Sequence, residues 1–212
     1  ALPTFIVHMR LLRHLLIAGT FLCCLGAIAG NRSADDILRS AAGRLSSSPS
    51  VEAQFTVHGQ EPVQGNIVMD GPRFAMTTPL LCVWFDGHTQ WTQLQSTSEV
   101  SITEPTASEI MESNPFAILR DYSARYRARR LPDAAGKQRV ELTPLPSADT
   151  TIEKAIIVVD SSNWPAAAEI RFTDGRSIIA TIDHIGAAAS KPASAFRFDT
   201  TRNPAVEIID LR

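Results

Sequence analysis

The sequence predicts a mainly β protein with short helices, in which a meander of antiparallel strands closes into a barrel or half-barrel. Apolar and polar residues begin to alternate at Val51, and a strand pattern then recurs roughly every ten residues. Turn sequences separate the strand patterns, among them Asp70-Gly71-Pro72, Asp86-Gly87 and Asp174-Gly175. Helical patterns are confined to one stretch before the strands and one insertion between them. An interrupted β meander is therefore the expected architecture.

The first 29 residues are typical of an export signal preceded by a few upstream residues. Met9 is the expected initiator, and two arginines precede the uncharged run Leu15–Ala29, which ends in the small-x-small pattern of a signal peptidase site. An uncleaved membrane anchor is the alternative, but a spanning helix needs about 20 apolar residues. A lipid anchor at Cys23 or Cys24 is less favoured, because no small residue precedes either cysteine. We therefore expect a cleaved export signal.

Residues 30–212 are expected to form one domain with a sizeable core. The full chain has a formal net charge of −2, and loss of the two signal arginines would make it slightly more acidic. A mildly acidic exported domain has no electrostatic reason to bind nucleic acid or an anionic bilayer. Cys82 is the only cysteine outside the signal, so no internal disulfide is expected, and no zinc-ligand spacing occurs. We expect neither a metal nor a cofactor.

The first element of this domain is a helix that follows Ser33, a residue able to cap it. Its apolar residues have the spacing i, i+1, i+4, i+5 and i+8, and the run Ser46–Pro49 ends it. The strands come next, each with an apolar face and a polar face. Their predicted bounds are residues 51–58, 64–69, 73–77, 81–85, 89–95, 99–103, 122–131, 139–144, 152–160, 166–172, 177–185 and 195–198, with a loop at 187–192.

A helical insertion interrupts the meander between the strands at 99–103 and 122–131. Residues 105–113 are expected to form a helix that presents Ile110 and Met111. Asn114-Pro115 then starts a second helical turn, because Asn is a good helix cap and Pro suits the first helical position.

Asp86-Gly87 lies between two strand patterns that carry aromatic residues, 81–85 and 89–95. We expect a two-residue type I′ turn, because both central residues of that turn need a positive φ, which Gly adopts freely and Asp better than most residues. The hairpin carries no set of catalytic side chains, which points to a binding surface.

Several short segments and the order of the elements together resemble one known family. The segments 65–69 and 71–74 look like a strand, a proline turn and an aromatic residue of that family, and 85–91 looks like its DG-x-x-x-W hairpin. The segment 114–119 looks like its lid helix. The family is that of the LolA periplasmic lipoprotein carriers. The resemblance covers about residues 33–200 and is only topological after the lid segment.

Within this family, the chain resembles one branch and differs from the best-studied branch at one position. The run that begins Glu99-Val100 and the terminal segment 206–212 look like the divergent branch found in Bacteroidetes. In the best-studied branch an Arg precedes the proline of the strand-turn motif and is thought to fasten the lid. Here that position is Gly71, and Arg73 lies two residues away. Control of the lid therefore cannot be carried over to this chain.

The resemblance implies an unclosed antiparallel half-barrel of about eleven strands with a helical lid. It implies a monomeric periplasmic carrier that shields the acyl chains of lipoproteins during transfer from the inner to the outer membrane. The cargo would be triacylated or diacylated lipoproteins, received from an inner-membrane lipoprotein-releasing ABC transporter. Whether an outer-membrane acceptor exists stays open.

An acyl chain offers no hydrogen bonds, so a carrier needs only apolar area in a dry and deformable cavity. The ordinary alternative is that the same residues form a filled core, which apolar alternation alone does not distinguish. The candidate acyl-chain residues are Phe55, Ile67, Met69, Phe74, Met76, Phe85, Trp91, Val100, Ile102, Ile110, Met111, Phe116 and Leu119.

Catalysis has little support in the sequence. No G-x-S-x-G, H-E-x-x-H or C-x-x-C motif occurs. Cys82 lies in an apolar strand pattern, and His58, His88 and His184 are isolated. We therefore expect no enzyme. Besides the carrier, an envelope-stress sensor or regulatory interaction protein on the same half-barrel and an unrecognised hydrolase remain as alternatives.

Five arginines follow the lid segment and form a basic cluster. The ordinary interpretation is a solvated strand face, and the functional one is a docking patch for an acidic partner. The patch would consist of Arg125, Arg127 and Arg129, flanked by Arg120 and Arg130.

Overall fold

The described part of the chain comprises residues 32–201, 203 and 205–212 of the computed structural model. The expected export signal lies outside these residues, so its cleavage and the domain boundary after Ala29 stay predictions. Helix α1 (Ala34–Ser46) begins where the sequence predicts a helix. Ser33 Oγ accepts a hydrogen bond from the backbone N–H of Asp36 at 3.1 Å, which satisfies a free donor of the first turn.

The remaining elements are short helices and the strands of one sheet. The helices are α2 (Ala107–Ser113) and α3 (Ile118–Arg125), with 3₁₀ turns at Pro115–Ala117 and Ala193–Phe196. The strands are β1 (Ser50–His58), β2 (Val63–Asp70), β3 (Arg73–Thr77), β4 (Leu81–Phe85), β5 (Gln90–Leu94), β6 (Glu99–Thr103), β7 (Tyr126–Ala134), β8 (Lys137–Pro144), β9 (Ile152–Val159), β10 (Pro165–Phe172), β11 (Ser177–Ala188) and β12 (Glu207–Asp210).

All twelve of these strands belong to one sheet, in the order β12-β6-β5-β4-β3-β2-β1-β11-β10-β9-β8-β7. The sheet is not closed, since β12 and β7 lie at its two ends. Its neighbours pair antiparallel, except that β12 runs parallel to β6. Two meanders, β1 to β6 and β7 to β11, meet where β1 pairs with β11. The predicted mainly β half-barrel is therefore confirmed, with twelve strands where about eleven were expected.

The predicted strand at residues 122–131 begins too early. Helix α3 continues to Arg125, and β7 starts only at Tyr126. Ile118 and Leu119 lie before a kink at Asp121, whose φ is −125°, and Tyr122 lies after it, and all three side chains are buried. Burial of these side chains against the core decides the conformation of a segment whose sequence also fits a strand.

The C-terminal part of the chain, from β11 onward, also differs from the prediction. Residues 193–196 form a 3₁₀ turn rather than the start of a strand, and Ala195 N donates to Pro192 O at 2.9 Å. The expected loop at 187–192 begins later, because β11 continues to Ala188, opposite Ser50. Strand β12 was not predicted. The extension of β11 and the existence of β12 depend on distant partner strands, β1 and β6, rather than on local sequence.

The turn at Asp86-Gly87 is a four-residue connection, not a two-residue type I′ turn. Phe85 pairs with Gln90, and Asp86 N donates to Thr89 O at 3.1 Å. Gly87 has a φ of +103°, whereas Asp86 is not among the residues with positive φ. Asp86 Oδ1 instead accepts the backbone N–H groups of His88 at 3.1 Å and Thr89 at 2.9 Å. The carboxylate therefore organises the turn through hydrogen bonds to the following backbone.

Asp86 also fastens the C-terminal segment, because Arg197 Nε donates to its Oδ2 at 2.8 Å. Burial by itself would raise the pKa of Asp86. The hydrogen bonds from Thr89 and His88 and the charge of Arg197 outweigh burial and hold the pKa below its usual value. The carboxylate is therefore a link between the β4–β5 turn and the chain that follows β11.

We expect Asp86→Asn to lower the free energy of unfolding by about 1–2 kcal/mol at neutral pH, because a charged acceptor of several hydrogen bonds is lost. Since the folded-state pKa is depressed, this stabilisation exists above the unfolded pKa of about 3.9 and disappears as the pH falls through the lower folded value. Urea unfolding of the wild type and the variant over this acid range should show that the difference between their free energies of unfolding shrinks as the pH falls. A difference independent of pH would contradict the role of the charge.

The helices cover one face of the sheet, called here the inner face. On β8, β9 and β10 this face is filled by α1 and α3. Ile37, Leu38 and Leu119 lie within that packed core together with Ile157 and Ile170. Strands β1 to β4 carry a separate buried cluster on the inner face, and there only Ile110 of the helical insertion packs against it. The helices thus fill one half of the inner face more completely than the other.

The opposite, outer face of β3 and β4 is covered by the segment that follows β11. The Arg73 guanidinium lies 4.9 Å from the ring centre of Phe196. The rings of Trp84 and Phe198 meet edge to face at 5.4 Å. This segment gives the outer face its own apolar contacts, so apolar residues occur on both faces of β4.

Candidate acyl-chain binding site

The less filled half of the inner face contains two neighbouring cavities. The first has a volume of about 230 Å³ and lies against β1, β2, β3 and β11. Its wall is almost entirely apolar. The lining residues are Phe55, Val57, Val63, Ile67, Met76, Thr78, Leu80, Leu81, Glu112, Ser113, Asn114, Pro115, Phe116, Ile178 and Ala180.

The second cavity has a volume of about 470 Å³ and lies between α1, the β2–β3 turn and α3. Its wall is also mainly apolar, with two arginines among the lining residues. These residues are Arg39, Ala42, Gly43, Leu45, Ser46, Val51, Met69, Gly71, Pro72, Phe74, Ile110, Asn114, Phe116, Ala117, Leu119 and Arg120.

Asn114 and Phe116 line both cavities and form the wall between them. Both residues are buried. Asn114 Oδ1 accepts the backbone N–H of Phe116 at 3.2 Å, and Asn114 N donates to Ile110 O at 2.7 Å. The predicted cap at Asn114-Pro115 is thus present, and it fixes the Phe116 ring between the two apolar spaces.

Helix α2, which precedes this wall, is held by a capping box. Thr106 N donates to Glu109 Oε2 at 2.7 Å, and Glu109 N donates to Thr106 Oγ1 at 3.4 Å. The hydrogen bonds from the Thr106 backbone and hydroxyl hold the pKa of Glu109 below its usual value. The short helix is therefore fixed at its start and carries Ile110 toward the strands.

Eight of the thirteen candidate acyl-chain residues line these cavities. Phe55, Ile67, Met76 and Phe116 line the first, and Met69, Phe74, Ile110 and Leu119 join Phe116 in the second. Phe85 and Met111 are buried without lining either. Phe85 packs on Phe74 with ring centres 5.5 Å apart, and the sulfur of Met111 is 3.7 Å from the Tyr126 hydroxyl.

The structure separates Trp91, Val100 and Ile102 from the two cavities. Trp91 pairs with Trp84 and with Ile102, and directly paired residues share a face of the sheet. Phe85, the next residue after Trp84, pairs with Phe74 on the inner face. Successive residues point to opposite faces, so Trp91 and Ile102 lie on the outer face, and Val100 lies there with them.

The sequence interpretation missed other lining residues for which a signal existed. Val57 continues the alternation that includes Phe55. Ile178 and Ala180 alternate along β11 in the same way, with Ile179 exposed between them. Leu45 and Val51 also belong to predicted apolar patterns, but to those of two different elements, since they line the second cavity from the end of α1 and the start of β1. Only the fold brings these last two together.

Gly71, at the position of the expected lid arginine, forms the turn between β2 and β3. Its φ is +54°, a value that favours glycine. Arg73 does not replace the missing arginine. Its Nη2 donates to Asp70 Oδ1 at 2.8 Å, and this hydrogen bond is the main reason why the pKa of Asp70 is lowered. Its guanidinium also lies over Phe196 on the outer face, away from the helices.

The basic cluster is divided between a helix and a strand. Arg125 ends α3 and donates to Asp149 O at 3.1 Å. Arg129 on β7 pairs with Glu141 at 2.7 Å, while Arg127 is exposed on the same strand. The expected single strand face is therefore wrong for Arg125. A docking role for these side chains stays a prediction.

A family model for the outer membrane lipoprotein carrier protein LolA matches residues 27–175. The chain belongs to the LolA family. The resemblance seen in the segments between residues 65 and 119 is thereby confirmed, and the match extends past the lid to the end of β10 and the turn that follows it. No curated protein sequence matches this LolA-family chain.

Solved structures to which this chain is similar differ from it greatly in sequence. An uncharacterized conserved protein from Thermus thermophilus is 10% identical, with a TM-score of 0.55 over 84% of this chain and 99% of that one. A LolA superfamily protein from Nitrosomonas europaea is 14% identical, with a TM-score of 0.45 over 79% and 98%. MucB in a Pseudomonas aeruginosa MucA/MucB complex is 10% identical, with a TM-score of 0.41 over 79% and 61%.

Two further findings concern membranes and metals. None of the described helices is both long enough and apolar enough to cross a membrane. Within the described residues there is also no group of three or more His, Cys, Asp or Glu side chains placed to hold a metal ion. Cys82 is a free, buried thiol that accepts a hydrogen bond from Gln95 Nε2 at 3.0 Å.

Proposed function

We propose that this LolA-family chain is a periplasmic carrier that shields the acyl chains of lipoproteins on their way from the inner to the outer membrane. The observation that carries the proposal is the first cavity, an open apolar space on the inner face beneath the helical insertion. The family description, outer membrane lipoprotein carrier protein, supports the same cargo. The export signal and the periplasmic location are parts of this proposal.

The chemistry of the first cavity suits an acyl chain. Burial of a hydrocarbon chain stabilises its complex by about 0.8 kcal/mol per methylene and needs no hydrogen-bond partner. The single charged lining residue, Glu112, is paired with Arg176 at 3.3 Å and thus is not left unpaired beside an apolar ligand. Met76 offers a flexible wall that can adjust to chains of different shape.

The partners follow from this role. The cargo would be triacylated or diacylated lipoproteins, delivered by an inner-membrane lipoprotein-releasing ABC transporter, with an outer-membrane acceptor left open. Arg125, Arg127 and Arg129 remain the proposed docking patch for an acidic surface on a partner, and the side chains of Arg127 and Arg129 are exposed. Such a patch would act mainly on the rate of encounter.

Neighbouring isoleucines on β11 provide a matched test. Ile178 lines the first cavity, whereas Ile179 is 45% exposed and lines neither cavity. We expect native mass spectrometry of the gently purified protein to detect bound species that carry acyl chains. Ile178→Glu should abolish them, because a carboxylate at the wall must be desolvated when a chain enters. Ile179→Glu should leave them unchanged.

Leu80→Glu is a second variant at the mouth of the first cavity. Leu80 is 61% exposed, so this substitution should fold normally and still reduce capture of a synthetic triacylated peptide. A delipidated wild-type protein that refuses the triacylated peptide would remove the carrier proposal. The regulatory interaction protein considered from the sequence would then be the function to test.

A further inference from the structure

The second cavity differs from the first in the charge at its edge. Arg39 and Arg120 both line it, and none of the described residues that line it is acidic. The first cavity has Glu112 as its one charged lining residue, and that carboxylate is neutralised by Arg176. The two spaces are separated by Phe116 yet offer different chemistry. One is neutral, and the other combines an apolar wall with the charge of Arg120 and the guanidinium of Arg39, which is paired with Asp36.

Both guanidinium groups have donors left for a ligand. Arg120 is exposed and has no hydrogen bond or ion pair with any part of the chain that the structure describes. Arg39 donates through Nη1 to Asp36 Oδ1 at 2.9 Å, which leaves its other N–H groups free of that pair. A guanidinium group presents five donors in a planar fork that matches carboxylate and phosphate oxygens. The edge of the cavity is therefore suited to an anion.

We propose that the second cavity binds an alkyl chain that carries an anionic headgroup. The chain would lie against Phe74, Leu119 and the Phe116 ring, and the carboxylate or phosphate would lie at Arg120 and Arg39. A volume of about 470 Å³ falls within the range of about 300–1,000 Å³ typical of small-ligand sites. The inference goes beyond lipoprotein transport, because it requires neither a protein cargo nor the first cavity.

Four amphiphiles with the same twelve-carbon chain separate the headgroup from the chain. They are dodecanoate, dodecyl phosphate, dodecyl maltoside and dodecyltrimethylammonium, titrated calorimetrically into the delipidated protein below their micelle concentrations. We expect both anions to bind more tightly than the cation. Arg120→Gln should weaken binding of the anions by about two- to fivefold, the range expected for one exposed charge pair, and should not weaken binding of the maltoside. Arg171→Gln, a charge-matched change at an exposed position of β10 that lines neither cavity, should have no effect.

A second variant tests whether the chain occupies this cavity. Gly43 lines it, and a Cβ at this position meets no atom within 4 Å, so Gly43→Leu can be accommodated while reducing the space. It should weaken all four amphiphiles. Equal affinity for anion and cation, or unchanged anion binding in Arg120→Gln, would overturn the proposal.

The anionic-ligand proposal and the lipoprotein proposal can fail independently of each other. Capture of the neutral triacylated peptide should depend on Ile178 and not on Arg120. Loss of one dependence with retention of the other identifies which proposal has failed. Tighter binding of dodecanoate would point to fatty acids as the source of the anion, and tighter binding of dodecyl phosphate to phospholipids. Both results support the anionic site.

Discussion

Phe116→Ala is expected to lower the free energy of unfolding by about 3–5 kcal/mol and to join the two cavities into one. The ring is 5% exposed and belongs to the packed core that α1 and α3 form on the sheet. It also lines both cavities, so its removal leaves a continuous apolar space on the inner face. The stability loss is large because the capped turn at Asn114 limits how far the surrounding chain can relax.

Binding of neutral alkyl maltosides of increasing length measures the joining of the cavities. Each added methylene should strengthen binding by about 0.8 kcal/mol until the chain fills the available space. In Phe116→Ala the affinity should continue to rise beyond the length at which it levels off in the wild-type protein. Chemical denaturation gives the accompanying loss of stability.

Phe172→Ala is the matched control for this change. Phe172 is fully buried in the same core and lines neither cavity. The Phe172→Ala variant should lose a similar amount of stability. Its affinity for alkyl maltosides should level off at the same alkyl-chain length as that of the wild-type protein. If Phe116→Ala levels off at that same length, the ring does not separate two spaces that a ligand can occupy.

The strands of the first meander could be predicted closely from the sequence. The bounds of β3, β4 and β6 agree residue for residue with the predicted segments, because each strand has a partner on both sides. Alternation identified β3 and β6, and a short apolar run before a turn identified β4. Helix α1 was equally clear, since its cap and its apolar spacing are both local. These elements are the ones in which local preference and tertiary packing agree.

The face of each strand was harder to predict than its bounds. Strand β4 is apolar at every position from Leu81 to Phe85, so its sequence does not say which residues point inward. Trp84 points outward because Phe198, far along the chain, packs on it there. Trp91 pairs with Trp84 and points outward with it, so the fold does not support its place among the candidate lining residues.

The second cavity and strand β12 depend on contacts between distant parts of the chain. Arg39 lies on α1 and Arg120 on α3, and neither position has a local pattern that indicates a ligand. Strand β12 is exposed at all four positions and is held by its parallel pairing to β6. Its sequence lacks the apolar–polar alternation that identified the other strands.

Gly65→Ala is expected to destabilise the protein by about 1–3 kcal/mol and to disturb the first cavity, although it adds only one methyl group. A Cβ at Gly65 would lie 2.5 Å from Phe55 Cζ and 2.9 Å from the backbone oxygen of Thr77. Phe55 is the direct cross-strand partner of Gly65, and its ring rests over the glycine as part of the cavity wall. The ring must move, and the Thr77 oxygen, fixed within the sheet, cannot move with it.

Gly186→Ala separates this crowding from the general effect of replacing a glycine in a strand. Gly186 also pairs with β1, opposite Glu52, but a Cβ there meets no atom within 4 Å. We expect the melting temperature of Gly186→Ala to stay at or slightly above that of the wild type, because alanine restricts the unfolded chain.

Gly65→Ala should melt about 2–4 °C lower than the wild type for each kcal/mol of stability lost. It should also bind the triacylated peptide less well, because Phe55 is part of the wall of the first cavity and its displacement changes that wall. Equal melting temperatures for the two variants would mean that the Phe55 ring is free to leave the glycine, and the wall of the first cavity would then be adjustable rather than fixed.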